Sequence, residues 1–200
     1  MTLYKNKYRV ESNRWQFWDY SSPGSYFITV CVENRKHILG RIENEKMILS
    51  DCGKIVSRYF TELPTYHKRI ILDEQTIMPN HFHCIITLGD YNFDNRVSDV
   101  GGGADKIHEF YLWYKQLKSP TENDIKQYRK LRRKMLIPKI LGKFKMQTSQ
   151  QINILKNTPG NKNWQSDYHD HLIRNDAEFQ RIKKYIRDNP LHWEEDKFNK

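Results

Sequence analysis

The chain has 200 residues, enough for one domain with a substantial core, and its 34 Lys and Arg outnumber 24 Asp and Glu to give a formal charge of +10. Three scattered cysteines, Cys31, Cys52 and Cys84, sit in apolar-patterned stretches, which argues against a disulfide framework and against a CxxC zinc site. No segment reaches the length and apolarity of a membrane span, so a single domain over 1–200 in a reducing cytoplasm is expected.

Residues 25–32 are aromatic and β-branched and follow Pro23-Gly24, which predicts a strand launched from a turn. Residues 38–42 and 47–49 flank the polar Glu43-Asn44-Glu45-Lys46 as a hairpin. Ser50 offers a helix cap, and Ile55, Val56, Tyr59, Phe60 and Leu63 recur at helical spacing before Pro64. Strands are expected over 70–78 and 81–88, joined at Pro79-Asn80. Residues 89–105, with Gly101-Gly102-Gly103, read as a flexible connection, followed by an inserted basic helical segment over about 107–156 that Pro138 interrupts or restarts. A loop over 157–163 and a strand within 165–173 precede a last helix. That helix is capped by Asn175 with Glu178 and ends before Pro190. The order β-α-β-β-α-β implies an α+β protein with a ferredoxin-like antiparallel sheet, helices on one face and added basic helices.

The charge is localised. Eleven Lys and Arg residues and no acid lie between Lys126 and Ser166, and the other 23 basic residues nearly balance the 24 acids. A surface helix normally interleaves opposite charges at i,i+4, so a run without acids points to a polyanion, and nucleic acid is the common one.

His81 and His83 open the strand 81–88. Side chains alternate along a strand, so both imidazoles project from one face and can grip one divalent ion. A structural zinc site lacks a third His or Cys at close spacing. In the last helix, Tyr185 and Asn189 are four residues apart and point together. A cation held by the two histidines with an amide oxygen can polarise a phosphodiester, and a nearby phenolate can attack phosphorus.

Five ordered blocks carry a family resemblance: Asp19-Tyr20 with Pro23-Gly24-x-Tyr26-Phe27-Ile28-Thr29; Met78-Pro79-Asn80-His81-Phe82-His83; Gly142-x-Phe144-Lys145; Trp164-Gln165-x-x-Tyr168-x-x-His171-x-Ile173-Arg174; and Tyr185-Ile186-x-x-Asn189-Pro190-x-x-Trp193. With these the chain resembles the REP-associated tyrosine transposases, relatives of the small insertion-sequence transposases of the HUH single-strand-nuclease class. The resemblance implies a HUH palm. It further implies that His81 and His83 bind Mg²⁺ or Mn²⁺, and that Tyr185 forms a 5′-phosphotyrosine while releasing a 3′-hydroxyl. In the related insertion-sequence enzymes a glutamine one turn after the tyrosine is the third ligand; Asn189 stands there in this chain. The implied function is an endonuclease and transposase that cleaves and rejoins single-stranded or hairpin-forming DNA, as a monomer or a homodimer.

Among the flanking residues, Lys184 is the candidate for electrostatic help to the phenol, and Tyr168 is the rival nucleophile. Arg129, Lys130, Arg132, Arg133, Lys143 and Lys145 are the candidate DNA contacts of the basic segment. Trp164, Gln165 and Arg174 are either core residues or DNA contacts through stacking and phosphate pairing. The competing reading is a non-catalytic ferredoxin-like nucleic-acid-binding protein, a domesticated hairpin binder, which needs only the basic surface and exposed aromatics.

Overall fold

The computed structural model describes residues 18–90, 112–114, 116–117 and 121–199, with the backbone alone of Leu3–Tyr4, Tyr8–Arg9 and Arg129. Most of the connection expected at 89–105 and most of the helix expected after it lie outside the described residues, as does the Arg129 side chain.

A short antiparallel pair, β1 (Leu3–Tyr4) and β2 (Tyr8–Arg9), precedes β3 (Gly24–Cys31), the strand expected after Pro23. β4 (Gly40–Glu43) and β5 (Lys46–Leu49) form the small hairpin, and α1 (Asp51–Thr61) follows with Ser50 Oγ accepting the Gly53 N–H at 3.1 Å. Gly53 is required there, because a Cβ would lie 2.1 Å from the Leu39 carbonyl oxygen. After the short α2 (Leu63–Tyr66) come β6 (Ile70–Met78) and β7 (His81–Leu88). Then α3 (Glu122–Arg132), α4 (Leu136–Lys156), β8 (His169–Ile173) and α5 (Asp176–Asp188) run into a 3-10 segment, Asn189–Glu195. Pro138 falls in the first turn of α4, where a missing N–H costs no helical bond.

The sheet order is β6-β7-β3-β8, all antiparallel. Numbered within this sheet alone, that is 2-3-1-4, the ferredoxin-like arrangement, with α1 and α4 as its two crossover helices. β7 and β3 are therefore central. Both faces of these strands are covered, and alternation decides what each face buries.

On one face, Tyr26, Ile28, Val30, Phe82, Cys84 and Ile86 meet Val56 and Phe60 of α1 and Ile140, Phe144 and Ile152 of α4. The Phe82 ring sits 4.8 Å from Phe60 and 5.9 Å from Phe144. On the other face, α5 lays Ile182 and Ile186 on Ile85 and Ile173, flanked by Phe27 and Phe179. Asn175 caps α5 by accepting the Glu178 N–H at 2.8 Å, while the Glu178 carboxylate accepts the Arg174 N–H at 2.9 Å. At its other edge, Lys183 pairs with Asp73 (2.7 Å) and Arg187 with Glu74 (2.8 Å), both at a bulge in β6 between Leu72 and Gln75. No helix among the described residues is long and apolar enough to cross a membrane.

Three candidate DNA contacts prove to have internal duties. Trp164 is buried, donates its indole N–H to Thr148 Oγ1 at 2.9 Å and packs on Phe144, so its ring is not open to a base. Lys145 donates to the carbonyls of Gln165 (2.5 Å) and Ser166 (2.9 Å), tying α4 to the loop before β8. Arg132 is buried, with its guanidinium over the rings of Tyr20 and Tyr128 at 5.5 and 5.6 Å.

Phe82→Ala removes a fully buried ring from between α1 and α4 without altering the neighbouring imidazoles. It should cost about 3–5 kcal/mol of stability, read as a lowered urea midpoint at unchanged m-value.

Candidate active site

The histidines lie on the face of β7 that α5 covers, because odd-numbered residues of this strand point away from Phe82 and the main core. Both are buried, and their Nε2 atoms are 3.0 Å apart. Each ring is held through Nδ1. His83 Nδ1 meets the hydroxyl of Thr29 at 2.7 Å, and Thr29 is its direct cross-strand partner on β3. His81 Nδ1 meets Asn80 Oδ1 at 2.8 Å.

Asn80 decides a tautomer. Its Nδ2 donates to the Phe198 carbonyl at 2.7 Å, which turns Oδ1 toward His81. A carboxamide oxygen only accepts, so His81 carries its proton on Nδ1 and presents a bare lone pair at Nε2. The space between the two Nε2 atoms then holds either a proton on His83 or a cation; the Thr29 hydroxyl, donor or acceptor, fits both states. Burial is the largest influence on both rings and pushes both pKa values below the ordinary 6.5. His81 is further influenced by Asp196, which raises it in part. Neutral imidazole is the form that ligates metal.

Two further oxygens complete the pocket. Asp196, from the turn after the 3-10 segment, places Oδ2 3.8 Å from His81 Nε2, and the ligand atoms of His81, His83 and Asp196 all lie within 4.8 Å of one another. Asn189 is buried at the start of the 3-10 segment, and its amide is close enough to influence both His81 and Tyr185. Asn189 Oδ1 and Asp196 Oδ2 are both buried with no hydrogen-bond partner. The nitrogens of His81 and His83 and the Asp196 carboxylate, with their ligand atoms within 4.8 Å of one another, make a donor set that fits a divalent cation, and Asn189 supplies a further unmatched oxygen. Two nitrogens at roughly 2.1 Å from one ion and about 90° apart would themselves be about 3 Å apart.

Tyr185 projects from α5 into the same place. Its hydroxyl is 3.4 Å from His83 Nε2, and its ring meets Phe27 edge-on at 6.0 Å. The side chain is 42 % exposed, open to an 830 Å³ cavity that His83, Asn189 and Asp196 also line. Partial burial and then Asp196 raise the phenol's pKa, with Asn189 acting in the opposite direction. The phenol is thus neutral near pH 7 unless a positive charge is added beside it.

Other sequence candidates fall elsewhere. Lys184 forms an ion pair with Asp188 on the exposed side of α5. Tyr168 is buried within the main core, which leaves its phenol no open approach for a phosphodiester. Gln165 is half-buried and donates its backbone N–H to Cys31, and Arg174 is exposed beside the cap of α5. Lys130, Arg133 and Lys143 are exposed, with the Lys143 ammonium 5.3 Å from the Tyr66 ring centre. The sequence reading missed Asp196, Thr29 and the orienting role of Asn80. Asp196 stands in Glu194-Glu195-Asp196-Lys197, which carries no ligand spacing, whereas Thr29 is identifiable once the β3–β7 register is known.

No protein-family model matches the chain. An uncharacterized protein of Haemophilus influenzae (strain ATCC 51907 / DSM 11121 / KW20 / Rd) is 29% identical over 185 residues, covering 92% of this chain and 90% of its own. A solved structure of a REP-associated tyrosine transposase bound to a REP hairpin aligns over 92% of this chain and 74% of that one, with 16% identity and a TM-score of 0.46.

The buried imidazoles make stability fall in acid. Their folded pKa lies below the ordinary 6.5, so below that pH the unfolded chain binds protons that the folded chain refuses. This contribution is fully present above pH 6.5 and is lost as pH falls through that value, until the folded rings themselves protonate. Urea denaturation over a pH series should show the decline, and the double variant His81→Gln, His83→Gln should flatten it.

Proposed function

We propose that the protein is a metal-dependent DNA strand transferase of the HUH type, using Tyr185 as nucleophile on single-stranded or hairpin-forming DNA. The observation that carries this reading is the phenol oxygen 3.4 Å from His83 Nε2, beside a cavity that His83, Asn189 and Asp196 also line, with His81 Nε2 3.0 Å from His83 Nε2. The five sequence blocks shared with the REP-associated tyrosine transposases support it.

His81 and His83, with Asn189 as the amide ligand, would hold a Mg²⁺ or Mn²⁺ ion, which when bound would supply positive charge to a phosphate oxygen and to the nearby phenol. The Tyr185 phenol gives up its proton as its oxygen attacks phosphorus; the P–O3′ bond breaks, leaving the 5′-phosphate on Tyr185, and the departing 3′-oxygen takes up a proton to become a free 3′-hydroxyl. Attack by a 3′-hydroxyl on that phosphotyrosine reverses the bonds, returns the phenol and joins the strands. The number of phosphodiester bonds is conserved, so no nucleotide cofactor is needed. Phe27 and Ile182 wall the phenol on its apolar side and fix its approach.

Lys130 on α3, Arg133 at its end and Lys143 on α4 are exposed and available to a DNA backbone. Binding should weaken with salt, on the order of one unit of log K per log salt for each phosphate contacted. In this reading α4 belongs to the palm, α3 is part of the basic addition, and the chain acts as one domain.

The test is an SDS-resistant adduct on labelled single-stranded hairpin DNA with Mn²⁺. Wild type should form it, chelation should prevent it, Tyr185→Phe should abolish it, and Lys184→Ala should leave it within about twofold, as expected of an exposed pair. An adduct that survives Tyr185→Phe overturns the assignment. DNA binding with no adduct under either metal favours the non-catalytic hairpin binder.

A further inference from the structure

We infer that the turn at residues 196–198 is part of the metal centre: Asp196 is the carboxylate ligand beside His81 and His83, and cation binding and ordering of this turn are one event. This rests on the cation-assisted reading above and adds a ligand that neither the motifs nor the resemblance supply.

The carboxylate is half satisfied. Asp196 Oδ1 accepts the Phe198 N–H at 2.6 Å, which closes a tight turn and fixes the plane of the group. The other oxygen, Oδ2, is buried without a donor and stands 3.8 Å from His81 Nε2. Since Asn80 holds the His81 proton on Nδ1, that nitrogen offers Oδ2 a lone pair and no hydrogen. An anionic oxygen facing a lone pair in a dry site is repulsive, and a cation between them reverses the sign.

The same turn closes the site physically. The Phe198 ring is buried, with its centre 4.6 Å from His81 and 5.9 Å from His83, so it shields both imidazoles from water. Its carbonyl receives the Asn80 amide that sets the His81 tautomer. Arg35 anchors the turn from outside by donating to the Lys197 carbonyl at 3.0 Å, with its guanidinium 5.4 Å from the Phe198 ring centre. Three parts of one turn therefore act on one ion: a ligand, a cover and the support of a ligand's orientation.

Mn²⁺ alone is the probe, titrated calorimetrically and by loss of the free-ion EPR signal on the full chain. Hydrogen exchange at residues 196–199 provides a readout independent of activity. Wild type should bind one ion, and exchange there should slow on binding. Asp196→Asn should weaken binding by about 10- to 100-fold and remove the slowing, while Phe198→Ala should speed exchange at the turn and weaken binding less. Glu194→Gln, an exposed neighbour, should match wild type. Equal affinity in Asp196→Asn and wild type, with binding lost in His81→Ala, would refute the role of Asp196 and leave the cation-assisted reading standing. No Mn²⁺ binding by folded wild type would remove both.

Discussion

The structure depends on one contact, the 3.0 Å approach of the nitrogens of two buried imidazoles. Neutral imidazole has one donor and one acceptor, so a pair can face nitrogen to nitrogen only if a proton or a cation lies between. Around this contact each neighbour commits the rings further. Asn80 takes the His81 proton at Nδ1, Thr29 takes either role toward His83, Asp196 brings an unmatched oxygen to within 3.8 Å of His81 Nε2, and Asn189 leaves a second buried oxygen unmatched. Leaving such groups unpaired costs about 1–3 kcal/mol each. The apolar core beneath the opposite face of the strand offsets that cost.

The two faces of β7 divide the work. Phe82, Cys84 and Ile86 lock the strand onto α1 and α4, and His81, His83 and Ile85 serve the site and the seat of α5. A one-residue slip of register would put Phe82 in the site and both imidazoles in the core, so the packing that stabilises the fold also fixes the histidines. Thr29 gains its position in the same way, as the residue opposite His83 in the β3–β7 ladder.

Local pattern made much of this legible. The strands over 70–78 and 81–88, the Ser50 and Asn175 caps, and the shared face of His81 and His83 follow from periodicity and turn chemistry, which act over a few residues. Direction was not legible for long cations. Lys145 and Arg132 belong to a basic run, yet one clamps a loop and the other lies against two rings, because composition says how many charges a helix has and not which way its stems point. Trp164 was undecided for a related reason: burial of its indole depends on Thr148, sixteen residues away on α4. Asp196 was invisible, since it meets His81 across 115 positions and has no spacing to its partners.

The position of Tyr185 comes down to how α5 is held. Two ion pairs join it to the β6 bulge, but the Arg187 side chain is 63% exposed, and exposed pairs contribute about 0–1 kcal/mol and weaken with salt. Ile182 and Ile186 are buried on Ile85 and Ile173, and a fully buried Ile is worth about 1.5–3 kcal/mol. The apolar stripe therefore decides where α5 sits, and the ion pairs add little to it. Tyr185 adjoins that stripe, immediately before Ile186 and three residues after Ile182, so its phenol inherits the stripe's precision while remaining 42% exposed. Asn189 lies one turn on, where the helix tightens into the 3-10 segment, and so enters the site from the same rigid body. Tyr185 and Asn189 are thus placed together beside the histidines by hydrophobic packing, which is insensitive to ionic strength.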